Sequence, residues 1–417
     1  MDKIIYWIWL SLSCTPDSAT FPKLLSKFDD VKDIYDADIK EISRAIGFRT
    51  SDRARLADKD LTRATEIYDF CKKYGVGLLP YSDQNFPKSL REIPTPPVLL
   101  YYRGILPDFN SQFFVACVGT RMLTDYGRRS AFSISYDLAT AGATIVSGMA
   151  VGIDSVAHAA ALSAGATTVA ILGSGIDICY PSEHLHLARE IVKSGCILTE
   201  YPPKSQPTKF SFPKRNRIIS GLSSATVVIE GRERSGAVIT ARHAKSQGKV
   251  VYALPGNVGN RNSEATNLLI RNGAKIITRA EDLINDFADK HPLNPFLLKP
   301  KCPVDLMDVL SAYRVSALCQ SDDVFVPARA SKKRETPTYD YSPNRIPQNS
   351  AAHEPPEGFD VRALAIYKKI PTSGECTVES LIDSEHSLRE VMRCLLKLEI
   401  GQFIIMLPGE RVARKTK

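Results

Sequence analysis

FFVACVGTRMLTDYGRRS, at residues 113–130, joins an unbroken apolar run to a glycine turn and then to a helix-forming segment. Short apolar runs of the same kind recur along the chain, most of them separated by amphipathic stretches that end in glycine. Strands that are apolar at nearly every position are buried on both faces, which requires a parallel sheet covered by helices on both sides. We therefore predict a doubly wound α/β domain over residues 113–287. The predicted strands are FFVACVG, TIVSG, TTVAILG, CILTEY, ATVVIEG, KVVYALPG and AKIIT.

The segments on either side of this domain differ from it in composition. Residues 1–80 predict a small helical domain with polar, acidic connections, and residues 81–112 predict an extended, proline-rich connector that leads into the sheet. Residues 288–358 are rich in proline, serine and mixed charge, and they predict a flexible linker because too little apolar surface is available to offset chain entropy. Residues 359–417 predict three helices and a β-hairpin, the arrangement of a winged helix, although the hairpin could equally be an ordinary core element.

The distribution of charge and cysteine narrows the classes of function. The net charge is +8, and residues 111–286 contain 19 Lys and Arg against 13 Asp and Glu, so an anionic ligand is expected in the sheet domain. The nine cysteines are scattered without a C-x-x-C pair. No uncharged apolar segment is long enough to span a membrane. We expect a reduced, cytoplasmic protein that has no structural zinc, no cofactor and no membrane association.

Two of the turns after predicted strands carry glycine and polar side chains. In an open parallel sheet, ligands bind beyond the carboxyl ends of the strands. GTRMLTDYG supplies backbone freedom, a hydroxyl and a guanidinium fork suited to phosphate, and SGMAVGIDSVAH supplies a glycine turn at a helix start. Asp154 is expected to cap the helix that contains His158. Catalytic use of His158 is the alternative to a role in orienting that helix.

A third turn and a basic segment complete the candidate site. RSGAVIT places Ser235 and Gly236 at a helix start with Thr240 one turn further, which predicts a phosphate cradle. FSFPKRNR places Lys214 and its basic neighbours close to the same sheet edge. Basic residues interleaved with aromatic rings are typical of a groove for single-stranded nucleic acid. The phenylalanines could equally be core residues, and the charges could be a solvated face.

Motifs of strong catalysts are missing from the sequence. It contains no G-x-x-x-x-G-K-[ST] loop, no complete G-x-G-x-x-G fingerprint, no G-x-S-x-G elbow and no H-E-x-x-H pair. Carboxylates spaced to hold a divalent metal are also missing. We therefore predict a binding protein, and we assign neither catalytic nor metal-ligating residues.

Ordered motifs across most of the chain resemble the DNA-processing protein A family (DprA, also called Smf). The motifs include VGTRMLTDYG, SGMAVGIDSVAHAAAL, FPKRNRIISGLS, RSGAVITA and PGNVGNRNSEATNLLIRNGA. The resemblance implies an extended Rossmann-like domain that binds single-stranded DNA, flanked by a helical SAM-like or helix-hairpin-helix domain and by a winged helix. It further implies a non-enzymatic role in natural transformation, in which the protein protects incoming single strands, helps to load RecA recombinase and forms homodimers through the Rossmann-like domain.

The resemblance also carries a set of binding residues onto this chain. They are Gly119, Thr120, Arg121, Ser147, Gly148, Gly152, Phe212, Lys214, Arg215, Asn216, Arg217, Ser235, Gly236 and Thr240. Two positions depart from the family pattern. Ala237 replaces a hydroxyl-bearing residue of the expected cradle, and Ala265 replaces a glycine. Both departures leave the cations in place, so DNA binding is expected to persist.

Two other functions compete with this interpretation. Rossmann-type relatives include phosphoribohydrolases that cleave nucleoside monophosphates and carry a P-G-G-x-G-T-x-x-E motif. This chain offers only SGAVITARHA and LPGNVGN in its place, with Glu230 and Glu264 as the nearby carboxylates. Alternatively, the C-terminal domain could be the main reader of double-stranded DNA, through a stripe of basic residues on SEHSLREVMRCLLKLEI. Such a stripe is more often a solvated helix face.

Overall fold

A computed structural model describes residues 2–45, 50–289, 291, 293, 326–327, 360–372, 375–383, 387–400, 403–407 and 411–414. The chain divides into two compact units, residues 1–331 and residues 332–417. Most of the predicted linker at 288–358 lies outside the described residues. Among the helices that are described, none is long and apolar enough to cross a membrane.

The first unit begins with short helices, as predicted for residues 1–80. The first of them opens at Asp2, whose carboxylate accepts a hydrogen bond from the N–H of Ile4, and it buries both of its tryptophans. The last ends at Gly75, which adopts a left-handed conformation with φ of 63°. The helices are α1 (Lys3–Ser13), α2 (Thr20–Leu25), α3 (Val31–Asp36), α4 (Ile39–Ala45), α5 (Thr50–Ala57) and α6 (Thr62–Tyr74).

A nine-stranded, mostly parallel sheet follows. Its strands, in chain order, are β1 (Gly77–Pro80), β2 (Leu99–Gly104), β3 (Phe114–Val118), β4 (Thr144–Ser147), β5 (Thr168–Ile171), β7 (Cys196–Thr199), β8 (Ala225–Val228), β9 (Val250–Ala253) and β10 (Lys275–Ile276). Their spatial order is β1-β2-β7-β5-β4-β3-β8-β9-β10. A separate two-residue strand, β6 (Ile178–Cys179), pairs in parallel with β11 (Val326–Pro327).

Every strand predicted from the apolar runs is present in this sheet, and the doubly wound α/β fold is confirmed. The sheet nevertheless begins earlier than the predicted start at residue 113. β1 and β2 form an antiparallel pair, and β2 also pairs antiparallel with β7. The end of the region predicted as helical (β1) and the region predicted as an extended connector (β2) therefore form one margin of the sheet. The apolar run at the end of that region supplies buried residues of β2.

Helices cover both faces of the sheet. They are α7 (Lys88–Arg91), α8 (Asp125–Thr140), α9 (Ile153–Ser163), α10 (Leu185–Ser194), α11 (Ser211–Leu222), α12 (Gly236–Ser246), α13 (Glu264–Arg271) and α14 (Glu281–Phe287). Alternate residues of a strand point to opposite faces. Val115 and Cys117 accordingly pack with α8, α9 and α14, whereas Ala116 and Val118 pack with α7, α11, α12 and α13 on the other face. The remaining helix of this group, α10, packs with the N-terminal helices.

The second unit has its own small core. Two α-helices pack with the residues around a three-stranded antiparallel sheet. The second of the three helices predicted for this region falls on TVESLID, at residues 377–383, but this segment contains a strand end and a single 3₁₀ turn at Glu379–Leu381. The helices are Val361–Lys369 and Leu388–Ile400, and the strands are Glu375–Thr377, Ile404–Leu407 and Arg411–Arg414.

Candidate nucleic-acid interface

The carboxyl ends of β3, β4, β5, β7, β8 and β9 lie along one edge of the sheet, because neighbouring pairs of these strands are parallel. The loops after β3 and β4 touch there. Gly152 has φ of 96°, and a Cβ at this position would lie 2.3 Å from the carbonyl oxygen of Thr120. Only glycine permits this approach, which also lets the N–H of Ile153 donate to that oxygen at 3.2 Å. The two glycine turns therefore meet at this edge of the sheet.

Arg215 lies beneath the loop after β4 and points inward. Its guanidinium donates to the carbonyl of Gly148 at 2.8 Å and to that of Ile171, and the side chain is buried. Burial lowers the pKa of Arg215 to about 10. A Cβ at Gly148 would lie 2.5 Å from the guanidinium, so the loop rests directly on this charge. Arg215 therefore supports the loop from below, and it donates to these two backbone carbonyls and, at 3.2 Å, to the side-chain oxygen of Asn216.

Asp154 holds the same loop but does not cap its helix, contrary to the prediction. Its carboxylate accepts a hydrogen bond from the N–H of Gly148 at 3.1 Å, and the first turn of α9 has no side-chain cap. Burial raises the pKa of Asp154, while the neighbouring Arg215 opposes that shift. The pair of buried charges fixes the backbone of the glycine turn.

Arg217, predicted to face phosphate, is instead part of a buried ion pair. Its guanidinium donates to Glu200 at 2.6 Å, and Asp17 lies 3.8 Å from its Nε atom. Burial raises the pKa of Glu200, and the charge of Arg217 opposes this shift. The ion pair joins α11 to the loop after β7 and to the N-terminal helices. The prediction of Arg217 as a ligand is wrong, because the loop after β7 and the segment around Asp17 pack over this side chain and pair its charge.

Arg121, Phe212 and Lys214 form the accessible part of the site. Arg121 is exposed, and its guanidinium lies 5.3 Å from the centre of the Phe212 ring. Lys214 is half-buried and forms no ion pair with a carboxylate among the described residues. Tyr180 stacks at a tilt on Phe212 with 5.3 Å between ring centres, and Phe210 is 66% exposed. These cations and rings are open to a ligand.

Sequence analysis missed Tyr180. It directly precedes Pro181 and follows the short strand β6, and its exposed ring continues the row that begins with Arg121 and Phe212. The only signal in the sequence was an aromatic residue after the incomplete glycine motif LGSGIDICYP. That position gives no indication that the ring meets α11.

The turn before α12 keeps one polar atom without a partner. The hydroxyl of Ser235 is buried and has no hydrogen-bond partner, and it lies at the N-terminus of an eleven-residue helix. Gly236 is exposed beside it, and its carbonyl accepts from the side-chain amide of Asn216 at 3.2 Å. Ala237, where the family pattern has a hydroxyl, is buried. Ser235, Gly236 and the helix N-terminus remain suited to an anion.

The other predicted hydroxyls are already engaged. Thr240 donates to the carbonyl of Gly236 at 3.2 Å within its own helix, and Ser147 donates to the carbonyl of Cys117 at 2.6 Å. Thr120 accepts from the N–H of Met122 at 3.1 Å, which shapes the turn after Gly119. In this structure these side chains act on the protein backbone, so the predicted ligand roles of Thr240 and Ser147 are not supported.

His158 is buried and contacts β5. Its Nδ1 atom lies 2.8 Å from the hydroxyl of Thr168, which itself donates to the carbonyl of Ile145. Nδ1 is therefore the donor, and Nε2 has no partner. Burial lowers the pKa of His158 to about 3, with further contributions from His184 and Arg215. A neutral, enclosed imidazole orients α9 on the sheet, which agrees with the structural interpretation.

The candidate carboxylate at this edge is engaged by the protein itself. Glu230, a candidate carboxylate of the phosphoribohydrolase interpretation, accepts hydrogen bonds from the N–H and the hydroxyl of Thr124 at 3.0 and 2.5 Å. It thereby anchors the start of α8. Within the described part of the chain, no group of three or more His, Cys, Asp or Glu side chains could hold a metal ion.

Comparison with known proteins places this architecture in one family. The family model described as DNA recombination-mediator protein A matches residues 77–288, a span that begins with β1. The DNA processing protein DprA of Bacillus subtilis is 36% identical over 220 residues, which cover 53% of this chain and 74% of that protein.

Two solved structures are also similar to this chain. DprA from Streptococcus pneumoniae is 32% identical with a TM-score of 0.60, over 68% of this chain and 97% of that one. DNA processing protein A from Helicobacter pylori, solved for its single-stranded DNA binding mode, is 30% identical with a TM-score of 0.48, over 52% of this chain and 98% of that one. The family match spans half of the chain and contains the sheet edge described above. The chain belongs to the DNA recombination-mediator protein A family.

Proposed function

We propose that this protein binds single-stranded DNA along the carboxyl edge of its sheet and acts as a recombination mediator. The observation that carries the proposal is the open row of Arg121, Phe212 and Lys214 in front of glycine turns whose backbone is fixed from below by Arg215 and Asp154. The row presents cations to phosphates, while the buried charges keep it in shape without competing for the ligand.

The aromatic rings favour a single strand over a duplex. Base stacking on an aromatic ring contributes about 1 to 3 kcal/mol per base, and it requires a base face that is not already stacked in a helix. Phe210 and Tyr180 are exposed, and Tyr180 stacks on the Phe212 ring that lies beside Arg121, so both rings provide such faces. A duplex would offer its phosphates to Arg121 and Lys214 but would keep its base faces covered.

The wider role in the proposal follows from membership of a family of recombination mediators. Bound protein would shield a strand entering by natural transformation and pass it to RecA recombinase, without catalysing a reaction of its own. Homodimerisation through the Rossmann-like domain would place two strand sites on one particle. The helical N-terminal region, proposed as SAM-like or helix-hairpin-helix, and the C-terminal unit, proposed as a winged helix, would serve as accessory domains.

Fluorescence anisotropy with labelled DNA tests the proposal. We expect the full-length protein to bind an unstructured oligonucleotide more tightly than a duplex of equal length. The double charge reversal Arg121→Glu/Lys214→Glu should weaken single-strand binding by about 100-fold, because two attractive contacts become repulsive. The control Lys249→Ala/Arg271→Ala removes two charges near the opposite, amino edge of the sheet and should bind like the unsubstituted protein.

Two outcomes would contradict the proposal. Unchanged binding by the charge-reversed protein would place the site elsewhere. Release of free base from nucleoside monophosphates, lost on Glu230→Gln, would favour the phosphoribohydrolase interpretation.

A further inference from the structure

A cavity of about 230 Å³ lies between α6 and the loop that follows β7. We call it the α6 pocket. Its lining combines two basic side chains, one carboxylate, one aromatic ring and a short loop: Arg63, Glu66, Ile67, Phe70, Pro203, Lys204 and Ser205. Sequence analysis gave no role to any of these residues.

The loop side of the α6 pocket has an unusual backbone conformation. Lys204 has φ of 66°, a left-handed conformation that is costly for a residue with a side chain. The N–H of Lys204 donates a hydrogen bond to the carboxylate of Asp177 at 2.8 Å, and the N–H of Gly175 donates one to the carbonyl of Ser205 at 2.8 Å. These bonds hold the lysine in place, with its ammonium 5.9 Å from the centre of the Phe70 ring.

The chemistry of the α6 pocket suits a nucleotide. Arg63 and Lys204 are exposed, and neither forms an ion pair with a carboxylate in the part of the chain that the structure describes. Either cation can contact a phosphate, and the half-buried ring of Phe70 offers a face for a base. Glu66 can accept a hydrogen bond from the amino group of a base.

One wall of the α6 pocket lies at the same sheet edge as the proposed strand site. β7 is parallel to β5, which is parallel to β4, so the loop with Lys204 lies at the same sheet edge as the glycine turns. The same loop runs on to the first turn of α11, which contains Phe212 and Lys214. Strands in a sheet are about 4.8 Å apart, so the α6 pocket lies within a few nucleotides of Arg121 along the edge.

We propose that the α6 pocket holds one nucleotide of the bound single strand, with its phosphate on Arg63 and Lys204 and its base against Phe70. The N-terminal helices thereby extend the strand path beyond the sheet domain. This inference rests on the proposed function of the sheet edge, and it adds a second contact point whose effect depends on the length of the DNA.

Binding measured against oligonucleotide length tests the proposal. Arg63→Ala/Lys204→Ala should match the unsubstituted protein on oligonucleotides too short to reach from Arg121 to the α6 pocket. On longer ones it should bind about tenfold more weakly, and the magnitude of the slope of log K against log salt should fall by about 0.7, because the two side chains share one phosphate and each phosphate contact on a single strand contributes about 0.7. Lys249→Ala/Arg271→Ala is the matched control.

A second variant distinguishes the contribution of the Phe70 ring to binding from that of the two cations. Phe70→Leu keeps an apolar side chain against Tyr74, whose ring centre lies 4.6 Å away, but removes the stacking face. It should weaken binding of long oligonucleotides while leaving the salt slope unchanged. Circular dichroism melts of both variants serve as the control, and we expect them to show that the helices remain folded.

Three results would overturn the inference. The first is equal binding by Arg63→Ala/Lys204→Ala and its control at every length. The second is an equal loss at all lengths, which would indicate a distorted loop. The third is binding of free deoxycytidine monophosphate that the variant abolishes while its oligonucleotide binding stays normal, because the α6 pocket would then serve free nucleotides. The proposed function fails separately, if Arg121→Glu/Lys214→Glu leaves binding unchanged.

Discussion

Two groups of cations within the site have opposite surroundings. Arg121 is exposed and Lys214 is half-buried, and neither forms an ion pair with a carboxylate among the described residues; the Phe212 ring lies beside Arg121. Arg215 and Arg217, one and three positions after Lys214, are buried and bound to backbone carbonyls or to Glu200. Adjacent basic residues in a sequence therefore do not form a single surface. Arg215 and Arg217 stabilise the loops beneath the site, whereas Arg121 and Lys214 are available to a ligand.

The largest expected effect concerns the inward group. Arg217→Ala leaves the buried carboxylate of Glu200 without its partner, which typically costs about 3 to 5 kcal/mol in the free energy of unfolding. Chemical denaturation measures this loss. Arg217→Met/Glu200→Leu, which removes both charges, should recover most of the stability. A single variant as stable as the unsubstituted protein would contradict the assignment of Arg217 to a buried ion pair.

A smaller effect concerns pH. His158 has its pKa lowered to about 3 in the folded protein, against about 6.5 in the unfolded chain, so the unfolded state binds the extra proton below pH 6.5. The contribution of His158 to the free energy of unfolding is fully present above pH 6.5 and is lost as the pH drops towards 3. The loss between pH 7 and pH 5 is about 2 kcal/mol.

His158→Asn isolates that contribution. The asparagine amide can donate to the hydroxyl of Thr168 in place of Nδ1 but does not titrate. The variant should therefore lose less stability than the unsubstituted protein between pH 7 and 5. Identical pH profiles from denaturant titrations would show that His158 is not held neutral by burial.

Much of this contrast between exposed and buried cations could not be predicted from the sequence. Unbroken apolar runs such as that ending at Val118 predicted the sheet, and glycine positions predicted the turns, because both follow from local constraints on burial and backbone angles. The direction of each cation on α11 depends on how the helix is rotated against the sheet. Lys214 and Arg217 are one turn apart, yet only Arg217 is enclosed.

Contacts between distant segments were equally hard to predict. Asp154 binds the turn before it because the loop after β4 folds back onto α9. Tyr180 reaches Phe212, and Phe70 approaches Lys204, only because different elements meet at one sheet edge. No spacing within a single motif indicates these pairs.

The salt dependence of single-strand binding tests the central claim most directly. For the unsubstituted protein and for Arg121→Ala/Lys214→Ala, the slope of log K against log salt counts the phosphates that the protein neutralises. We predict that the double variant makes this negative slope shallower by about 1.4 and leaves thermal stability unchanged, since both side chains act on the ligand. An unchanged slope, or a slope that falls only together with stability, would show that Arg121 and Lys214 do not contact the strand.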